Sequence, residues 1–188
     1  KLGTSGYGAG VDTEIEFYFA THDESGNLLP VAGIDRIPFA NSGISGTPYT
    51  SFDMVYAMEN TIWDADDYLN IWICNPSDVL GYSSFPASHI AGLGSGESPL
   101  RDGVIVSYTT VGSTTSPNPL GGSNGSGRVL THELGHFLGV FHTFGNGSFT
   151  ACDTDYVDDT PTQAGPNSGC PSSPFSCGSP DQPENYMD

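Results

Sequence analysis

The chain has 188 residues, with 22 Asp+Glu against four Lys+Arg, a formal charge of −18, 25 glycines, 14 prolines and four cysteines. So acidic a balance disfavours nucleic acid and anionic membranes as partners, both being polyanions, and no apolar run approaches the roughly 20 residues that membrane insertion needs. The length suits one globular unit over 1–188 with a sizeable core. Cysteines beside very few lysines suit a secreted, extracellular protein in which disulfides persist, and with no signal peptide visible at Lys1 the chain reads as a mature or trimmed product.

In chain order, Glu14 to Thr21 alternates and is rich in aromatic and β-branched residues, the pattern of a strand. His22 follows beside Asp23 and Glu24 and reads as a surface residue. Ser51 to Ile62 carries Phe52, Val55, Tyr56 and Ile62 at helical intervals behind a Ser51 cap, which predicts a backing helix. Leu69 to Cys74 and Gly103 to Tyr108 are short apolar runs bounded by turn residues, as in buried central strands. Between them Leu80 to Pro86, flanked by Pro76, suits an edge strand. His89 lies in a Ser/Gly-rich loop without a paired ligand motif, and Val111 to Gly127 is a loop by composition.

The next eleven-residue string carries the chemistry. HELGHFLGVFH runs from His132 to His142. If Arg128 to Leu138 is helical, His132 and His136 lie on one face, one turn apart, where two imidazoles can bind one cation. Glu133 then points near the metal without binding it, the place of a general base beside an activated water. Gly139 tolerates the positive φ that ends a helix, so the chain can turn and bring His142 back as third ligand. A structural zinc site would want a fourth protein ligand and no adjacent base. The pattern predicts a zinc-dependent endopeptidase, and a zinc hydrolase acting on a non-protein amide is the neighbouring alternative.

HExxHxxGxxH followed by the terminal NYMD resembles the metzincin signature, with Met187 at the Met-turn. GRVLTHELGHFLGVFHTF, DYVDDTP and NYMD are similar to the pappalysin family, above all its secreted microbial members of the cytophagalysin and ulilysin type. DTEIEFYFAT, YLNIWICNPSDVLGYSSFP and DGVIV extend the resemblance from Asp12 almost to the end. It implies an α/β (α+β) fold: a metzincin-like zincin with a twisted mixed sheet, a backing helix and an active-site helix. An upper subdomain over 1–139 would carry the zinc helix. A lower irregular subdomain over 140–188 would be stapled by disulfide and calcium. It also implies a protein or peptide substrate lying extended along the edge strand.

The four cysteines allow three pairings, among which sequence alone does not choose. The resemblance favours Cys152 with Cys177, leaving Cys74 as a buried free thiol or the partner of Cys170. The acidic string CDTDYVDDTP offers hard oxygen ligands but lacks the EF-hand spacing, and a solvated acidic loop is an equally good reading of its composition. The resemblance implies calcium, with Asp155, the Val157 carbonyl and Thr160 as first choices. Arg128 matches the family's GR-x-x-THE arrangement and is expected in an ion pair whose acid the sequence does not name. Relatives continue past the Met-turn and begin with a strand and long helix before Asp12, so association with such terminal segments is a further expectation. A metal-binding or adhesive module on a metzincin scaffold, without turnover, is the alternative that this departure leaves open.

Overall fold

A computed structural model describes residues 13–88, 92–94, 96, 98–145, 152–169 and 171–188. His89, Cys170 and the segment Lys1 to Gly10 lie outside them.

After a single 3-10 turn at Phe39–Asn41 comes the first α-helix, α1, Ser51–Thr61. Thr50 caps it, and not Ser51: the Thr50 side chain accepts from the Asp53 N–H while the Asp53 carboxylate accepts from the Thr50 N–H, a reciprocal capping box. Ser51 turns its hydroxyl to Asp78 instead. The buried face also differs from the expected one. Met54, Ala57 and Met58 are buried, whereas Phe52 is 73% and Tyr56 49% exposed. Unbranched Met54 and Met58, one turn apart, fit the irregular surface of the sheet.

That sheet has three strands in the order β1-β3-β2, with β1 Ile71–Cys74, β2 Gly81–Ser83 and β3 Val104–Ser107. It is mixed: β1 runs parallel to β3 with Trp72 opposite Ile105, and β2 runs antiparallel with Tyr82 opposite that same residue. Side chains alternate across β3. Ile105 packs with Trp72 and Cys74 against α1, while Val104 and Val106, both fully buried, face the other way. Burying a residue such as Met58 or Ile105 contributes about 2 kcal/mol, so this small cluster fixes the helix on the sheet. The Trp72 indole N–H adds a bond to Thr61 at the end of α1.

Two strand expectations are corrected. The run Leu69 to Cys74 is not a central strand but the outer strand of the described sheet. It exposes Ile71 (39%) and Ile73 (60%), because only its other face meets α1. Glu14 to Thr21 forms no ladder among the described residues. No described strand lies alongside it, Phe17, Tyr18 and Phe19 are exposed, and the first bridge is His22–Leu28, next to the Ala20 carbonyl that accepts from the Gly33 N–H. Alternation states that one face is apolar; a strand also needs a neighbour.

The second helix, α2, Arg128–Phe137, crosses the sheet face opposite α1, over β2 and β3. Beyond it the described residues are irregular apart from the Asp153–Gln163 bridge and a hairpin of two-residue strands, β4 Phe175–Ser176 with β5 Ser179–Pro180. Polar groups hold this region together. Gln163, 1% exposed, donates to the Gly165 carbonyl and the Asp188 carboxylate and accepts from the Gln182 N–H. The disulfide Cys152–Cys177 closes the loop around it. Cys74 is a free thiol, pushed up to about 12 by burial. No helix of the described residues is long and apolar enough to cross a membrane.

Candidate metal centre

Gly127, at φ +82°, delivers the chain into α2, and a Cβ there would lie 2.4 Å from the Gly112 carbonyl oxygen. Twelve residues on, the chain leaves the helix at Gly139, φ +91°. The Gly139 N–H bonds to the His136 carbonyl and the Val140 N–H to the Gly135 carbonyl, the paired bonds of a Schellman motif. This reversal returns His142 toward the helix face that carries His132 and His136. The three rings lie with centroids 4.5 to 5.1 Å apart.

Their inner nitrogens converge. His142 Nε2 is 3.1 Å from His136 Nε2 and 3.2 Å from His132 Nε2. Two nitrogens bound to one zinc at about 2.05 Å and a near-tetrahedral angle stand about 3.3 Å apart, so both spacings suit that ion. The outer nitrogens are committed elsewhere. His132 Nδ1 meets the Tyr186 carbonyl at 2.6 Å and His136 Nδ1 meets the Val140 carbonyl at 2.8 Å. A carbonyl only accepts, so each ring carries its proton on Nδ1 and turns the Nε2 lone pair inward. Burial holds His136 and His142 down to about 4, so both are neutral at physiological pH, the state a metal ligand needs. Phe85 packs against His136, and Phe144 stacks on His142 at 4.6 Å.

Glu133 follows His132 on α2 and is 7% exposed. Its side chain runs against β2, where a Cβ on Gly81 would come 2.5 Å from Glu133 Oε1. Gly81 is therefore a space that the carboxylate fills. Burial raises the Glu133 carboxyl to about 7, so in the metal-free chain it is poised between its two protonation states near neutrality. Met187 is buried beneath α2: a Cβ on Gly135 would lie 2.5 Å from its sulfur, and its carbonyl accepts from the Thr143 N–H.

The remaining site candidates fall in different places. Asp155 is buried, yet its Oδ1 accepts from the Val157 N–H, and the Val157 carbonyl accepts from the Thr160 N–H. The stretch satisfies itself as a turn. Among the described residues, the three histidines are the one group of three or more His, Cys, Asp or Glu side chains whose ligand atoms cluster. His22 bonds locally to Thr21 and is remote from them in the chain. Arg128 stands with its guanidinium carbon 4.2 Å above the Tyr186 ring and donates to the Glu184 carbonyl. Sequence reasoning missed the carbonyls of Tyr186 and Val140, which have no residue signature. It also passed over Gly81, whose signal was a glycine within a strand pattern.

The comparisons with known proteins agree with this geometry. The peptidase M43 family, described as pregnancy-associated plasma protein-A, matches residues 54–188. An extracellular metalloprotease of Colletotrichum graminicola is 42% identical over 179 residues, covering 90% of this chain and 55% of that protein. Extracellular metalloprotease 1 of Coccidioides posadasii is 40% identical over 113 residues, 58% of this chain and 37% of that protein. Mature mirolysin of Tannerella forsythia, solved in complex with a cleaved peptide, superposes with a TM-score of 0.67 at 32% identity over 90% of this chain and 60% of that one. The chain thus spans between about a third and three fifths of the length of these relatives.

Proposed function

Because the chain belongs to the pappalysin family of metzincin peptidases, peptidase M43, we propose that it is the zinc-bearing part of a secreted endopeptidase, with His132, His136 and His142 as metal ligands and Glu133 as general base. The observation that carries this reading is the convergence of three imidazole nitrogens on a helix that also carries one buried carboxyl not needed as a ligand. Zinc bound there would polarise a substrate carbonyl and make water acidic enough to lose a proton near neutral pH. Glu133 takes that proton as the water oxygen bonds to the carbonyl carbon, then delivers it to the amine nitrogen as the C–N bond breaks. No covalent acyl-enzyme forms. Met187 underlies the histidines as an apolar floor and binds no metal.

The substrate lies extended along β2. This strand pairs with β3 on one side only among the described strands, and it carries Gly81, which packs against Glu133. An added strand is held by backbone hydrogen bonds and brings its carbonyls past the site in sequence. That mirolysin was captured with a cleaved peptide supports a peptide substrate. The extracellular fungal relatives and the disulfide Cys152–Cys177 support secretion. Calcium at Asp155, Val157 and Thr160 belongs to the same proposal and rests on the family resemblance alone. A rise in melting temperature with calcium that Asp155→Asn removes is the expected outcome, and identical melting with calcium or a chelator would contradict it.

Glu133→Ala tests the central step. Cleavage of a peptide library, read by mass spectrometry, should fall by about 10²- to 10⁴-fold, with zinc content remaining near one per chain. Full activity in the variant would remove Glu133 from the mechanism, while zinc binding without turnover in the unmutated chain would favour a binding module.

A further inference from the structure

We infer that Arg128 is a positioning residue for the metal centre, acting through the Tyr186 backbone on the orientation of His132. The inference deepens the zinc reading above and rests on it.

His132 differs from His136 in what holds its outer nitrogen. The partner of His136 is the Val140 carbonyl, which the helix-ending turn at Gly139 places within the same local motif. The partner of His132 is the Tyr186 carbonyl, 54 residues away in an irregular segment with no ladder to fix it. Something must hold that carbonyl 2.6 Å from Nδ1 if the ring is to keep Nε2 aimed at its two neighbours. A side-chain substitution cannot remove a backbone acceptor, so control of the acceptor lies with whatever grips residues 184–186.

Arg128 grips them twice. It is the first residue of α2 and one turn before His132, so both side chains leave the helix on the same face. Its guanidinium carbon sits 4.2 Å from the centre of the Tyr186 ring, and Nη2 donates to the Glu184 carbonyl at 3.3 Å. A planar guanidinium can stack and donate at once, whereas the ammonium of lysine is a point charge that cannot reproduce both contacts. The rest of the segment is held from other directions: Asn185 bonds to Gln182 and to the Met187 N–H, and the Met187 carbonyl bonds to Thr143. The Arg128 clamp therefore sets the side of the loop that faces His132. Helix, loop and ligand form one closed circuit from Arg128 through Tyr186 to His132 and back along one turn of α2.

This makes the role different from general stabilisation. A residue that merely tied the end of the chain to α2 would lower stability while leaving His132 in one tautomer. A positioning residue changes the ring itself. In the metal-free protein, nitrogen-15 histidine NMR should show His132 held with its proton on Nδ1, and a mixture of tautomers in Arg128→Ala. Zinc affinity, measured by competition with a chromogenic chelator, should fall about tenfold in Arg128→Ala, the lower end for loss of a group supporting a ligand. Arg128→Lys should recover less than half of that loss on a logarithmic scale. Tyr186→Ala should weaken zinc to a similar degree, and the double variant should be no weaker than the worse single one, because both changes cut the same circuit.

Affinity within twofold of the unmutated chain in Arg128→Ala, with an unchanged His132 tautomer, overturns the inference. So do losses that multiply in the double variant. Arg128 is exposed, so its replacement leaves the core intact; should the alanine variant not fold, Arg128→Lys carries the test alone, and full zinc affinity there is equally contrary. Failure of the unmutated chain to bind zinc would instead refute the reading on which the inference rests.

Discussion

At the residue scale, the site depends on buried groups whose protonation is set against solvent. His136 and His142 are held down to about 4 and Glu133 is pushed up to about 7, in each case chiefly by burial, which disfavours the charged form. The two kinds of shift act oppositely on stability. For the histidines the folded value lies below the ordinary 6.5, so their contribution is complete above 6.5 and is lost as pH falls toward 4. For Glu133 the folded value lies above the ordinary 4.5, so its contribution is complete below 4.5 and is lost as pH rises through 7. Between pH 4.5 and 6.5 these groups leave the unfolded chain binding about one proton more than the folded chain, the two histidines outweighing the one carboxyl. Metal-free protein should therefore weaken on acidification across that window, and Glu133→Gln should weaken more steeply. Urea unfolding at several pH values measures both slopes; parallel slopes would show that Glu133 is not buried as described.

At the element scale, α2 works because three glycines give it room. Gly139 turns the chain toward His142 at φ +91°, and a side chain there would force a left-handed backbone onto a residue that resists it. Gly139→Ala should cost about 1–3 kcal/mol in chemical denaturation and weaken zinc binding as well, since the same turn places the Val140 carbonyl on His136. A variant of native stability and affinity would mean that the turn has another way to close. Gly135 admits Met187, and Gly81 admits Glu133. Gly81→Ala should lower kcat with zinc content unchanged, because the added methyl meets the carboxylate and not a ligand; unchanged kcat would show that Glu133 has slack against β2.

The active-site helix and its stop were legible in the sequence because their signals are local: two histidines four apart, then a glycine. The buried face of α1 was not, because Phe52 and Tyr56 are apolar at helical spacing and yet lie outside the contact that Met54 and Met58 make with Ile105. The edge strand Gly81–Ser83 was legible from its flanking prolines, whereas the placing of Ile71–Cys74 depends on which strands lie beside it. The carbonyl partners of the histidines were illegible for a plainer reason. Every residue has a carbonyl, and only folding selects one.

At the scale of the whole molecule, two weakly apolar regions are joined across the site. The sheet and its helices bury a small core, while the segment after His142 relies on a disulfide and on buried polar bonds around Gln163. A crosslink between residues 25 apart should stabilise by about 3 kcal/mol through the entropy it removes from the unfolded chain. Replacing both Cys152 and Cys177 by serine should therefore lower stability by about that amount in denaturant unfolding, and no loss would mean that the polar network suffices. The formal charge of −18 adds self-repulsion, so moderate salt should raise the melting temperature of the metal-free chain.

All three scales meet in the proposed grip of three imidazoles on one ion. X-ray absorption at the zinc edge of the singly loaded chain tests it most directly. The expected spectrum has three histidine nitrogens at about 2.0 Å with one further light-atom ligand. A sulfur ligand, or fewer than three imidazoles, would contradict the account.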